Sequence, residues 1–282
     1  MGRFADLLRP ISGTTTRVLD VDVEESSVEL PGAAPEHYAI DVSDDARAVT
    51  VRYGPVGVSI TDGQAIRVHA PDAAARSTHD FLAYGVGART LLWQRRRFNL
   101  HAALLTSPTG ETVALTGLSG AGKSSTTLSL IERGWEFDGD DVIEVTPGPD
   151  GAVARAVPRP MHLSDTAARR AGVDPAWGRE IPGRGKRAYA VQLSDLDRQL
   201  ARIVVLGSTS TPRAETAVLG PLEAVPLLAH LSDGWGLCHR LDVRAEYLAW
   251  VASLCRTVPV RRVDRPVEGD SFDEVADLVS GR

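Results

Sequence analysis

A glycine-rich octapeptide, set between an apolar run and a segment rich in small polar residues, limits this chain more than any other feature. Gly117-Leu118-Ser119-Gly120-Ala121-Gly122-Lys123-Ser124 fits G-x-x-x-x-G-K-[ST] at every fixed position. Val113, Ala114 and Leu115 suit a short buried strand before it, and the segment after it reads as a helix to Arg133, stopped by Gly134. A loop with three glycines can turn its backbone N–H groups inward around a di- or triphosphate, because no Cβ obstructs the approach. The helix start adds unpaired N–H groups and the positive end of its dipole. On this reading Gly117, Ser119, Gly120, Ala121, Gly122, Lys123, Ser124 and Ser125 cradle a nucleotide, with Lys123 on the β/γ oxygens and Ser124 on Mg²⁺. The competing reading is a strand-to-helix turn that matches by chance.

The whole chain narrows the choice of partner. Its 282 residues, 43% hydrophobic, allow a sizeable core in one large or two modest domains. A formal net charge of −6 offers no broad basic surface, which argues against nucleic acid as a main partner. Cys238 and Cys255 lack a metal-type spacing and read as inert thiols of a reducing compartment. No apolar run approaches a membrane span, and MGRFADLLRP lacks both a signal-peptide core and the Ser or Thr of a myristoylation signal. The expectation is a cytoplasmic protein without a membrane partner.

Residues 1–90 read as a β-rich region. Val18-Leu19-Asp20-Val21-Asp22-Val23, Tyr38 to Val42, Val49 to Tyr53 and Val56 to Ile60 alternate apolar with polar, and Pro31-Gly32, Asp44-Asp45, Gly54-Pro55 and Asp62-Gly63 punctuate them. That pattern predicts a small antiparallel sheet whose acidic residues form a solvated face. After a loop over Ala70 to Ala75, Arg76 to Gln94 predicts a helix ending in Arg95-Arg96-Arg97, either cations of a last turn or phosphate contacts.

Residues 91–282 carry the chemistry. Leu100 to Leu105 predicts a strand that places His101 at one end of a hairpin leading into the glycine loop, in a structural or a functional role. Past the loop helix, a strand from Trp135 leads to Asp138-Gly139-Asp140-Asp141. Two adjacent carboxylates there can divide two jobs, one accepting the proton of an attacking hydroxyl and the other holding Mg²⁺; an acidic turn is the plainer alternative.

His101, the loop Gly-Leu-Ser-Gly-Ala-Gly-Lys-Ser, a helix ending in Glu132-Arg133-Gly134, and then Asp140-Asp141 together resemble the kinase domain of HPr kinase/phosphorylase and its HPr-kinase-like relatives in bacteria. The resemblance is strong over residues 95–145 and continues in outline beyond. It implies an α/β P-loop kinase domain related in fold to phosphoenolpyruvate carboxykinase, which phosphorylates a hydroxyl, typically of serine, with ATP and Mg²⁺. By position it assigns Lys123 to phosphate, Ser124 and Asp141 to the metal, Asp140 to the general base and His101 to the border of the transferred group. The sequence departs from the bifunctional enzymes at Ser125 and Ala102, where they carry an acidic residue and a glycine, and at Pro182, where their Glu-Ile-Arg-Gly signature has arginine. A relative of the bifunctional enzyme, rather than that enzyme, is therefore expected.

In the last third, Ala152 to Val157 and Pro158 to Leu163 predict a strand pair and Asp165 to Ala171 a short helix. Trp177 to Tyr189 predicts a cationic loop, either solvated or closing over the γ-phosphate with Lys186 and Arg187, which the strand Ala188 to Leu193 holds. Buried Ile203 to Gly207, helices over Leu219 to Leu231 and Arg244 to Cys255, strand Val258 to Val263, and a helix from Ser271 with Glu274 as capping box complete the chain. The function expected is phosphoryl transfer to a hydroxyl-bearing peptide, protein or small molecule. A nucleotide-dependent switch or assembly factor is the alternative, although no N-K-x-D motif occurs. The β-rich region is open to substrate recognition, homo-oligomer formation or simple cover of the sheet.

Overall fold

The computed structural model describes residues 5–9, 17–26, 30, 39–70, 76–181, 183–191, 196–232, 236–269 and 271–281. Residues 1–4, the Pro31-Gly32 turn, Tyr38, the loop to Ala75, Pro182 and the strand end at Leu193 lie outside them. The first part forms β1 (Leu8–Arg9), β2 (Arg17–Val18), β3 (Val21–Ser26), β4 (Ala39–Val42), β5 (Ala48–Tyr53), β6 (Val56–Thr61) and β7 (Ala65–His69), followed by α1 (Arg76–Leu82), a π turn (Ala83–Gly87) and α2 (Ala88–Gln94). The centre holds β8 (Asn99–Leu100), β9 (Ala102–Thr106), β10 (Thr112–Gly117), α3 (Lys123–Glu132), β11 (Glu136–Asp140), β12 (Ile143–Gly148) and β13 (Gly151–Ala156). The last part comprises β14 (Met161–Leu163), α4 (Asp165–Arg170), β15 (Arg179–Ile181), β16 (Lys186–Val191), β17 (Arg198–Thr209), β18 (Glu215–Leu219), α5 (Pro221–Ser232), α6 (Leu237–Arg240), α7 (Arg244–Thr257), β19 (Val260–Pro266) and α8 (Phe272–Ser280).

The architecture is mixed α/β. A central sheet runs β11-β9-β10-β17-β13-β12-β8, with β19 on β17 and β18 on β19. The pairs of β17 with β10 and with β19 are parallel, while β9 and β11 add antiparallel strands at one side. Parallel strands covered on both faces read as continuous apolar runs, as Val113 to Leu115 of β10 and Ile203 to Leu206 of β17 do, whereas β19 at their side, VRRVDRP, alternates with charged residues. Ala114, Ile203 and Val205 face one core, whereas their neighbours Val113, Leu115, Val204 and Leu206 face another. The second core is closed by Leu128 and Ile131 of α3 and Val275 and Val279 of α8. The first extends without a break into the N-terminal sheet through Val49, Val58 and Ile60, joined by Trp93 of α2 and Tyr247 of α7.

Several local expectations are corrected. The run from Val18 to Val23 is a hairpin with a two-residue turn, Leu19 at φ +55°, because valine alternation continues unchanged across so short a turn. The N-terminal sheet is mixed, since β3 pairs with the unforeseen β7 in parallel. The helix over Arg76 to Gln94 carries a π turn at its glycines, and the strand over Leu100 to Leu105 breaks at His101. The segments expected to pair with each other do not: β13 joins β12 and β17, while β14 joins β16. The cationic segment is a strand hairpin, β15 with β16, and not an open loop. The capping box at α8 fails, because Ser271 at φ −114°, ψ 13° is not extended and its hydroxyl cannot reach the first-turn amides.

Trp93 is fully buried, with ring centroids 5.1 Å from Phe98 and 4.8 Å from Tyr247, and its indole N–H donates to Asn99 at 2.9 Å. Trp93→Ala is expected to cost about 3–5 kcal/mol of unfolding free energy. Because the core is continuous, wild type and variant should each unfold in one transition by both fluorescence and far-UV circular dichroism; two separated transitions would show an independent N-terminal domain.

Candidate functional site

At the end of β10, Gly117 has φ +150°, and a Cβ on it would stand 2.6 Å from the Leu206 carbonyl oxygen of β17. Only glycine lets the two strands stay paired to that residue while the chain turns away. Gly122, at φ +99°, precedes α3, where a Cβ would meet the Phe272 ring at 3.2 Å and Arg265 Nε at 3.4 Å. Lys123 Nζ curls back to donate to the Gly117 carbonyl at 2.7 Å. Leu118, Ser119 and Gly120 are exposed, and Ala121, Ser124 and Ser125 are half-buried. Arg265 donates from outside to the carbonyls of Ala121 at 3.3 Å and Gly120 at 3.4 Å. In a trans peptide the carbonyl and the following N–H point oppositely, so holding Ala121 O outward turns Gly122 N–H to the other side of the loop.

The acidic pair is aimed by an irregularity. In β11 Phe137 opposes Leu105, Gly139 opposes Leu104 and Asp140 opposes Ala103, so one residue is extra. Without that bulge Phe137 and Asp140, three residues apart, would face opposite sides; with it both share the face of Ala103 and Leu105, the side on which α3 packs. Asp138 goes elsewhere, accepting from Thr106 at 2.6 Å and from Arg198 at 2.7 Å as a structural anchor. Asp141 sits in the left-handed region at φ +74°, between β11 and β12, level with the break at His101 between β9 and β8.

Those two breaks bring side chains together. The Asp141 carboxylate pairs with the buried guanidinium of Arg159 and lies 3.2 Å from His101 Nδ1 and 4.0 Å from Arg89. His101 Nδ1 is also 3.2 Å from Arg89 Nη2. A nitrogen between an acceptor and a donor serves one at a time: with the proton on Nδ1 it donates to Asp141, with the proton on Nε2 it accepts from Arg89. The π turn lets Gly85 approach this pair, a Cβ there falling 3.8 Å from Arg159 and 4.0 Å from Asp141. Thr116 on β10 donates to the His101 carbonyl at 2.7 Å, tying the network to the glycine loop.

Charge sets the state of the titrating groups. Burial, then Arg89 and Lys123, push the His101 imidazole down to about 3, against a smaller upward pull from Asp140. Burial also lowers the Lys123 ammonium, which Asp140 pulls back up and Lys186 pushes further down. His162 lies well below its ordinary range through burial and the charges of Arg159, Lys186 and Arg184. Both imidazoles are thus neutral at neutral pH.

The cationic hairpin divides its residues by strand parity. His162 opposes Ala188, and Leu163 opposes Arg187. Lys186 therefore shares the face of His162, while its neighbour Arg187 takes the other. Arg187 donates to Asp165 at 3.0 Å and to the Gly178 carbonyl at 3.2 Å. Lys186 is exposed. The structure thus gathers Asp140, Asp141, His101, Lys123 and Lys186 around the loop and turns Arg187 away. Arg89, Arg159, His162 and Arg265 join the site unforeseen by sequence; an arginine inside the apolar stripe of α2 was the one available signal. The Arg95-Arg96-Arg97 run pairs instead with Asp20, Glu246 and Glu144. Both cysteines are free thiols, and burial raises Cys255 to about 11.

No protein-family model matches the sequence, and no curated protein matches it. A solved structure of the HPr(Ser) kinase/phosphatase from Coxiella burnetii is similar with TM-score 0.30 and 13% identity, over 65% of this chain and 91% of that one. A superposition this loose says nothing of site or substrate. Among the described residues no helix is long and apolar enough to cross a membrane.

Asp141→Asn removes the carboxylate that faces the buried guanidinium of Arg159, whose side chain is only 3% exposed, and is expected to cost about 3 kcal/mol in urea unfolding. Because the folded imidazoles refuse protons that the unfolded chain accepts near pH 6.5, stability should fall as pH drops below about 6.5, towards about 3 for His101. A His101→Gln, His162→Gln double variant should show a visibly flatter dependence of unfolding free energy on pH; an unchanged slope would mean both rings protonate in the fold.

Proposed function

We propose that this chain is an ATP- and Mg²⁺-dependent kinase transferring a phosphoryl group to the hydroxyl, serine-like, of a peptide, protein or small molecule. What carries the reading is the bulge in β11, which puts Asp140 on the glycine-loop side of the sheet, its charge acting on both Lys123 and His101. A P-loop protein that only hydrolyses or switches also carries a carboxylate beside its loop, as a metal ligand, so the labelled acceptor is what separates transfer from a switch.

The residues fit the donor. Gly117 and Gly122 hold conformations that leave no room for a side chain, and α3 presents its first N–H groups to the loop. Among the described residues no three His, Cys, Asp or Glu side chains converge as a metal cluster. Mg²⁺ ordinarily takes one or two protein ligands with phosphate oxygens and water, which suits Ser124 at the helix start. Bound ATP with Mg²⁺ supplies the phosphoryl group and screens its charge. Lys123 exchanges the Gly117 carbonyl for a phosphate oxygen. Asp140 receives the proton of the acceptor hydroxyl. Asp141 joins the metal side only if its pair with Arg159 opens; in the pair it positions His101. Lys186 adds positive charge at the acceptor edge, and Arg187 braces the hairpin that holds it. We place the enzyme in the cytoplasm, where ATP is supplied and unpaired thiols stay reduced.

With γ-labelled ATP, Mg²⁺ and a panel of serine-bearing peptides and small alcohols, wild type should label an acceptor. Asp140→Asn should slow that transfer roughly 10²- to 10⁴-fold while still binding nucleotide, and Lys123→Ala should lose nucleotide binding. Hydrolysis at equal rates in wild type and Asp140→Asn, with no acceptor labelled, would instead favour the switch.

A further inference from the structure

The small sheet β1-β16-β14, with β15 also paired to β16, presents one face to α1. Arg179 on that face donates to Asp80 of α1 at 3.1 Å, and the His162 ring lies 5.4 Å from Phe81 of α1. Lys186 belongs to the same face: it is two residues along β16 from Ala188, which opposes His162, so the two side chains are diagonal neighbours, roughly 7–8 Å apart at Cα. His162 is linked back to the acidic pair, because Arg159 donates to its Nδ1 at 2.9 Å and pairs with Asp141. At the hairpin turn the Arg184 guanidinium rests 4.9 Å from the Phe81 ring and 4.9 Å from the Tyr53 ring, which sets a second cation near His162.

Carboxylates already face Arg89, Arg159 and Arg179 here. Lys186 is different: exposed, it has no hydrogen bond or ion pair with any described residue, and its charge is felt both at Lys123 and at His162. An ammonium held by a strand at the mouth of a site, beside a neutral imidazole, gives a neutral alcohol little. To an anion it offers a charge-assisted bond and partial desolvation. Resting on the kinase reading above, we propose that Lys186 and His162 form an anion subsite, and that the acceptor carries a carboxylate or phosphate within a few bonds of the hydroxyl presented to Asp140. Asp140 repels that anion, so the subsite also sets orientation: the anion goes to Lys186 and the hydroxyl to Asp140.

The test is calorimetric titration of the full chain, with the glycine loop saturated by a non-hydrolysable ATP analogue and Mg²⁺, using glycerate, glycerol 3-phosphate and glycerol as probes. Either anionic probe should bind where glycerol does not, and the stronger of the two identifies the anion as carboxylate or phosphate. Lys186→Gln should weaken that binding roughly tenfold, and Lys186→Arg should restore most of it. Glycerol binding as tightly as the anions, absence of binding by both anions, or indifference to Lys186→Gln would each overturn the subsite. Because these readouts need no turnover, selective anion binding in a protein that transfers no label from γ-labelled ATP would sink the kinase reading and leave the subsite standing.

Discussion

The Asp141 carboxylate is the tie on which the site depends. Four segments meet at it: α2 through Arg89, the break before β9 through His101, the break after β11 through Asp141 itself, and the approach to β14 through Arg159. Burying two guanidinium groups and a carboxylate is costly, and the cost is met only when every member has its partner. That requirement holds the N-terminal helices and the central sheet in one relation.

Which charged residues reach the site is decided by strand parity. Asp138 and Asp140 look equivalent in sequence, yet the extra residue in β11 sends one to Arg198 and the other to the loop side. Lys186 and Arg187 look interchangeable, yet adjacent positions on a strand point to opposite faces. Each pair holds one anchor and one residue available for chemistry.

The electrostatic design keeps two histidines neutral among five cations, Lys123, Lys186, Arg89, Arg159 and Arg184. Neutral imidazoles can orient neighbours without adding charge, so the positive charge around Asp140 is carried by the lysine and arginine side chains. Behind the loop, Arg265 fixes two carbonyls and Phe272 lies between the guanidinium groups of Arg265 and Arg170 at 5.7 and 5.2 Å. The loop is shaped from outside as well as by its own glycines.

Local patterns were enough to locate the strand, glycine loop and helix from Thr112 to Glu132, the buried strand around Val204 and the helix carrying Tyr247 and Trp250, because close backbone approach and apolar periodicity are written in adjacent residues. The approach of His101 and Asp140-Asp141 to the loop was legible in the hairpin that leads into it and the strand that follows its helix, and a family resemblance supplied their expected roles. What tertiary structure alone decided was pairing and parity: the parallel β3-β7 pair, the bulge in β11, the break at His101, and the choice of Lys186 over Arg187. Arg89, Arg159, His162 and Arg265 stayed hidden for the same reason. A buried cation is defined by the partners the fold brings to it, and those partners lie tens of residues away along the chain.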